Sequence, residues 1–189
     1  PPAHIPAGPK RSPYEAYEIA LLRYIVRYGE RILFQYTDEE TNEEVIIRVS
    51  EYIRSELERD DLTFYTPLFK SMMDEAADRC QSEGFIANRY FLAHPDPNVS
   101  RLAANLISEK YQLSKYHSKT QKLVTDEERL YEMVPMLMIN FKNAIVAEEL
   151  KHIMYALQDP SIANDNAQCD AVMQRYKEMK EIQNLMAKR

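Results

Sequence analysis

From Ser12 onward, apolar side chains return every three to four residues over most of the chain, and in one place that period gives way to another. Tyr17, Leu21, Tyr24, Ile25 and Tyr28 share one helical face. So do Leu68, Phe69, Met72, Met73, Ala76, Ala77 and Cys80, and again Val99, Leu102, Ala103, Leu106 and Ile107. Recurrence at i, i+3, i+4 and i+7 puts the apolar groups of a helix on one side, so each stretch is expected to be a helix that buries that side. Between Gly29 and Ser50 the pattern changes to short β-branched and aromatic runs, 31–36 and 44–49, around the polar residues 37–43. Such a pair of runs predicts one small hairpin near 31–49. The expected fold is mainly α: a helical bundle with one small β-hairpin insertion, then a long helix and a C-terminal αα-hairpin.

Local signals set the boundaries. Five prolines in residues 1–13 (1, 2, 6, 9 and 13) describe an extended linker. Ser12-Pro13-Tyr14-Glu15 places a hydroxyl, a proline and an acid where a helix start favours them, and Gly29 is a stop signal. A helix is expected over about 50–57, another from Thr66-Pro67 toward Gly84, a short one over 88–93, and one opened by Asp96-Pro97. Residues 109–124 show no clean period and read as a polar, basic connector. Thr125-Asp126-Glu127-Glu128 is a second capping box. It opens a long pattern of Leu130, Val134, Leu137, Phe141, Ile145, Leu150, Ile153 and Leu157, ended by Asp159-Pro160. Pro135, inside that pattern, predicts a kink or a break. A last helix over about 167–187 carries Val172, Tyr176, Met179, Ile182 and Met186 on one side. The divisions are thus a linker (1–13), a helical bundle (14–124), and a long helix with the terminal hairpin (125–189).

Composition removes several functions. Only three glycines occur (Gly8, Gly29 and Gly84), too few for loops that cradle phosphates with close backbone approach. The net charge of −6, from 30 acids against 24 bases, argues against a chain whose main task is to grip phosphate backbones. No apolar run approaches the roughly 18–20 residues of a membrane span. Cys80 and Cys169 lie far apart without a C-x-x-C setting and read as reduced thiols. The start Pro1-Pro2-Ala3-His4-Ile5-Pro6 has no initiator Met and no signal-peptide pattern, which reads as a piece of a longer protein.

The search for chemistry finds little. Glu149-Leu150-Lys151-His152 has the E-x-x-H spacing of a carboxylate-bridged metal site, but such sites need the motif twice, and it occurs once. His4, His94 and His117 have no Cys or His partner at ligand spacing. No catalytic residue, metal or cofactor is expected in this chain. Two binding classes remain. Lys110, Lys115, Lys119 and Lys122 interleave with Tyr111, Tyr116 and His117, so Lys115, Lys119 and Lys122 are candidate contacts for weak single-stranded nucleic-acid binding. The terminal hairpin carries more apolar residues than two paired helices can cover: Ile153, Met154 and Leu157, with Tyr155 among them, on one helix, and Met173, Tyr176, Met179, Ile182, Leu185 and Met186 on the other. Met- and Tyr-rich helix surfaces suit partner grooves, which makes these the candidate partner-binding residues.

The run Phe91-Leu-Ala-His-Pro-Asp-Pro-Asn-Val-Ser-Arg-Leu-Ala-Ala-Asn-Leu-Ile-Ser-Glu-Lys-Tyr-Gln-Leu-Ser-Lys-Tyr116 resembles the C-terminal region of DnaG-type bacterial primases. Residues 128–135 (Glu-Arg-Leu-Tyr-Glu-Met-Val-Pro) and 19–29 (Ile-Ala-Leu-Leu-Arg-Tyr-Ile-Val-Arg-Tyr-Gly) fit the same resemblance, which spans about 14–158 and fades in the last helix. It implies a helicase-binding region that follows catalytic and zinc-binding domains located upstream. It also implies a terminal hairpin that docks on the N-terminal domains of the hexameric replicative helicase, in a cytoplasmic, nucleoid-associated protein. The hairpin at 31–49 departs from the family's general pattern, and no motif match anchors individual contact residues in the last helix.

Overall fold

The computed structural model describes residues 12–117 and 127–188. The chain divides into two compact units, Pro1–Leu137 and Met138–Arg189. The 124/125 boundary expected from the sequence lies outside the described residues.

The first unit is built on α1 (Glu15–Tyr28), which lies against four other helices. Those are α2 (Val49–Arg59), α3 (Pro67–Arg79), α4 (Ala87–Leu92) and α5 (Pro97–His117). Leu21, Leu22, Ile25 and Val26 of α1 are fully buried, with Ile53 of α2, Met72 and Ala76 of α3, Phe91 of α4 and Ala103 of α5 equally inaccessible. Each large side chain removed from water this way contributes about 1.5–3 kcal/mol; the stripes read from the sequence supply much of this core, but Tyr17 of the first stripe is exposed, and Leu22 and Val26, outside it, are buried. The start of α1 falls later than the capping pattern placed it. Ser12 Oγ accepts the Tyr14 amide at 3.1 Å, so residues 12–14 form a turn and the helix begins at Glu15.

The hairpin is present. β1 (Ile32–Thr37) pairs antiparallel with β2 (Glu44–Arg48), Phe34 opposite Ile47 and Tyr36 opposite Val45, with a bulge between Ile32 and Phe34. Asp38 closes its link: its carboxylate accepts the Glu40 and Thr41 amides, both at 2.9 Å, and Asn42 turns the chain back with φ 57°. Within β1 and β2 only Leu33 is buried, and Phe34 meets the Tyr52 ring of α2 edge-on.

The structure corrects one expectation and narrows another. The connector read over 109–124 is helical through its first half: α5 runs unbroken to His117. Residues 109–117 contain no Pro or Gly, and a polar, alanine-poor stretch can extend a nucleated helix without an apolar stripe, because adding a residue to a helix is far cheaper than starting one. Of the kink or break expected at Pro135, the break is absent. The helix α6 (Leu130–Gln158) is continuous across it, losing the one hydrogen bond that the missing N–H would have given to the Tyr131 carbonyl.

Buried residues along α6 do not follow the single stripe expected. Leu130, Val134, Met138 and Phe141 are buried, and then Val146, Leu150 and Ile153. The step from Phe141 to Val146 is five residues rather than three or four. At about 100° per residue the second set faces roughly 140° away from the first, so one helix carries two apolar faces.

The second unit is the expected αα-hairpin. From the end of α6 the chain passes through one short turn, α7 (Pro160–Ala163), into α8 (Asn166–Ala187). Asp159 ends α6 and also caps α7, its carboxylate accepting the Ser161 amide at 2.9 Å ahead of Pro160 at the first helical position. Asp165 caps α8 through the Gln168 amide at 3.1 Å. Val146, Leu150 and Ile153 of α6 form a core with Met179 of α8, flanked by Leu157, Val172, Tyr176 and Met186. Among the described residues no helix is long and apolar enough to cross a membrane.

Candidate functional site

Helix geometry sorts the surface of the second unit into two edges. α6 directs Val146, Leu150, Ile153 and Leu157 inward, and α8 directs Val172, Tyr176, Met179 and Met186. Relative to those inward directions, Glu149 and Arg175 each stand about 60–70° to one side. Their ion pair, 3.2 Å between Arg175 Nε and Glu149 Oε1, puts them on the same edge and at the same level of the hairpin. Arg175 also reaches Glu178 at 3.6 Å, so a chain of three charged side chains runs along this edge. Ile182 stands on the same side, and Leu185 lies farther round toward the back of α8.

Met154 and Met173 are rotated the other way, by about 70° and 100° from the inward directions of their helices. In an antiparallel pair, equal senses of rotation lead to one common edge, so the two methionines share the edge opposite the ion pair. From the level of Glu149 and Arg175, Met154 lies five residues and Met173 two residues nearer the α7 link, roughly 7 and 3 Å along the axis. They stand roughly 4 Å apart along the axis. Met154 is 55% and Met173 39% exposed. Tyr176 lies beside them, half-buried against the hairpin core, and the Lys180 ammonium sits 5.9 Å from its ring centre while bonding Gln183 Oε1 at 3.1 Å. Lys177 follows the same edge farther round the helix. Asp170, one turn before Met173, stands equally far round on the same side, so this edge carries an acid as well as bases.

The candidate partner-binding residues therefore separate. Met154, Met173, Ile182 and Leu185 are exposed, as a docking role requires. Leu157, Tyr176 and Met186 are half-buried against the hairpin's own core. Ile153 and Met179 are corrected: at 6% and 7% exposed, they hold the two helices together and offer no surface to a partner. Their positions on the inward stripes are the reason. Tyr155, well exposed, points to the back of α6. What sequence reasoning misses is the Glu149–Arg175 ion pair, which only the register of α8 on α6 reveals.

The remaining polar candidates have structural partners. Glu149 of the E-x-x-H motif is engaged by Arg175, and His152 turns instead to Glu148, 3.3 Å away. Among the described residues no group of three or more His, Cys, Asp or Glu side chains is arranged to hold a metal ion. His94 joins helices: its Nδ1 accepts the Asp96 amide at 3.1 Å, and its Nε2 lies 3.1 Å from Glu75 Oε2, which also accepts the Tyr90 hydroxyl at 2.8 Å. Lys115 falls on the last turns of α5, whereas Lys119 and Lys122 lie outside the described residues.

Compared with known proteins, residues 6–189 match the model of a family described as a domain of unknown function (DUF8430), and the chain belongs to that family. No curated protein and no solved structure matches it.

Proposed function

We propose that this member of the DUF8430 family is a non-catalytic adaptor that binds the N-terminal domains of a hexameric replicative helicase through its terminal αα-hairpin. The observation that carries the reading is the hairpin itself. Its two helices close a small core with Val146, Leu150, Ile153 and Met179, yet leave Met154, Tyr155, Met173, Ile182 and Leu185 uncovered. Apolar side chains left in water over one small element favour a partner that removes them from it. The resemblance at 91–135 to the C-terminal region of bacterial primases supplies the identity of that partner.

The mechanism is tethering. Primer synthesis takes place on upstream domains of the same polypeptide, and docking of the hairpin keeps those domains near the single strand emerging from the helicase. Linkage raises their effective concentration there without new chemistry. The protein then acts at the nucleoid, without cofactor or metal of its own.

The test is a pull-down of the chain against the replicative helicase of the same organism, with and without residues 160–189. Binding is expected for the intact chain and lost with the deletion. Retention of the helicase at full strength by the shortened chain would remove the hairpin from the role, and no retention by the intact chain would remove the adaptor reading.

A further inference from the structure

We infer that His94 is a proton-operated latch at the corner between α4 and α5: its neutral ring holds the Asp96 amide, and protonation of the ring releases that amide while the tie to Glu75 of α3 remains. All of these residues belong to the first unit, and the latch is independent of the adaptor role proposed above.

The corner is poor in backbone donors. Pro95 and Pro97 have no N–H, so between His94 and the first turn of α5 only the Asp96 and Asn98 amides can donate. Both are met by side chains. Asp96 Oδ1 accepts the Asn98 amide at 2.8 Å, and His94 Nδ1 accepts the Asp96 amide at 3.1 Å. The Asp96 carbonyl in turn accepts the Ser100 amide at 3.1 Å. Asp96 therefore links the His94 ring to the first turn of α5.

These bonds fix where the ring carries its proton. An amide N–H aimed at a ring nitrogen needs a lone pair there, so Nδ1 is bare. The single proton of the neutral ring is then on Nε2, 3.1 Å from Glu75 Oε2, which accepts it. The same oxygen accepts the Tyr90 hydroxyl at 2.8 Å, and the Tyr90 and His94 rings meet edge-on with centres 5.7 Å apart. The titratable groups against the ring are thus Glu75 of α3, Tyr90 of α4 and Asp96 at the head of α5, with the Arg79 guanidinium of α3 5.0 Å over the Tyr90 ring. The His94 side chain is only 12% exposed, so these partners, more than water, receive its donors.

A second proton breaks one of the two ties and strengthens the other. Imidazolium donates from both nitrogens, so Nε2–H keeps Glu75 and gains an opposite charge there. Nδ1–H, in contrast, faces the Asp96 N–H, donor against donor. The ring or the Asp96 peptide must turn away, and the entry to α5 loses its hold. Protonation thus trades the bond to α5 for a stronger one to α3.

The experiment follows the isotope-labelled full chain by nuclear magnetic resonance from about pH 8 to about pH 5, the interval in which histidines ordinarily change charge. Long-range proton–nitrogen correlation at the upper end is expected to show the His94 ring protonated at Nε2 only. As the ring takes up its second proton, the Asp96 amide resonance is expected to move with the same midpoint. Its exchange, corrected for the intrinsic pH dependence, is expected to lose about two- to tenfold of its protection, the worth of one hydrogen bond. H94N places an oxygen where Nδ1 stands and does not titrate, so its Asp96 amide is expected to stay protected across the range. Any change that Glu75 or Asp96 causes by its own titration persists in H94N. Should H94N fail to fold, the tautomer and the shared midpoint in the unaltered chain decide alone. A neutral ring protonated at Nδ1 overturns the latch. So does an Asp96 amide that ignores the titration of the ring, the same pH dependence in H94N, or a ring that stays neutral until the chain unfolds.

Discussion

Glu18 of α1 holds the start of α3 at Thr66: its Oε2 accepts the Thr66 hydroxyl at 2.6 Å, and its Oε1 accepts the Thr66 amide at 3.2 Å. The Tyr65 amide donates to the same Oε1. Thr66 occupies the N-cap position, but its own side chain does not cap the helix; a fully buried carboxylate 48 residues earlier does so instead. An anion at the positive end of a helix satisfies free amides and the helix dipole together. Replacing Glu18 by Ala strands two amides and a hydroxyl and is expected to cost about 3 kcal/mol or more, with Gln, which retains one acceptor, costing about half. Urea denaturation followed by circular dichroism measures both; a loss below about 1 kcal/mol for Glu18→Ala would contradict the capping role.

Gly29 and Ser50 make a tight crossing. A Cβ on Gly29 would lie 2.4 Å from Ser50 Oγ, 2.5 Å from the Ile25 carbonyl oxygen and 3.3 Å from Ala87 Cβ. One of those neighbours is backbone, so it cannot swing aside, and Gly29→Ala is expected to destabilise by about 1–3 kcal/mol. Ser50 gives the opposite expectation. Its hydroxyl is fully buried and finds no hydrogen-bond partner among the described residues. Ser50→Ala removes an unsatisfied polar group without leaving a void, and is expected to be neutral or to stabilise by up to about 1 kcal/mol. Thermal melts of the two single variants should move apart in opposite directions, and a fall in Tm for Ser50→Ala would show that the hydroxyl is satisfied by water.

These two sites mark what sequence reading can and cannot reach. Core positions such as Leu21, Tyr24 and Ile25 announce themselves because burial and helical period coincide, and the hairpin at 31–49 because β-branched residues interrupt that period. Residues 109–117 read as a connector because periodicity reports burial, whereas a helix needs only the absence of breakers. Asp159-Pro160 reads as a stop, yet the same pair also starts a helix, and α7 follows it. For the candidate site, the choice among apolar residues depends on how α8 lies on α6. That register is fixed between residues 26 positions apart, Glu149 and Arg175 among them, which no local pattern contains. Glu18 is hidden for the same reason, since its partners lie 47 and 48 residues away.

Tyr52 provides a pH readout for the foot of the hairpin. Burial pushes its phenol from the ordinary 10.0 up to about 12, with the nearby Glu56 charge adding to the shift and Arg59 opposing it. A folded-state value above the unfolded one means that the neutral phenol is favoured by folding. Its contribution to stability is fully present below about pH 10 and is lost as the pH rises toward 12. Because the ring meets Phe34 of β1 edge-on, ionisation should loosen the hairpin at its base. Spectrophotometric titration should show a phenol step near pH 12 that Tyr52→Phe removes; a titration in which Tyr52→Phe removes a step near the ordinary 10.0 instead would contradict its burial.

Ile153 and Met154 are neighbours in sequence with opposite expected consequences. Ile153 is buried in the core of the terminal hairpin, whereas Met154 stands exposed on its edge. Ile153→Ala is expected to cost the hairpin about 2–4 kcal/mol, because apolar packing disappears and a cavity remains in its place. Met154→Ala is expected to change stability by no more than about 0.5 kcal/mol, because nothing is uncovered by it. Amide hydrogen exchange reads the two variants element by element: Ile153→Ala should speed exchange along α6 and α8 while the amides of α1 and α3 keep their protection. A helicase-binding defect in Ile153→Ala should then scale with the fraction of hairpin unfolded, whereas a defect in Met154→Ala should appear at full protection. Equal protection losses in the two variants would mean that Met154 belongs to the core after all.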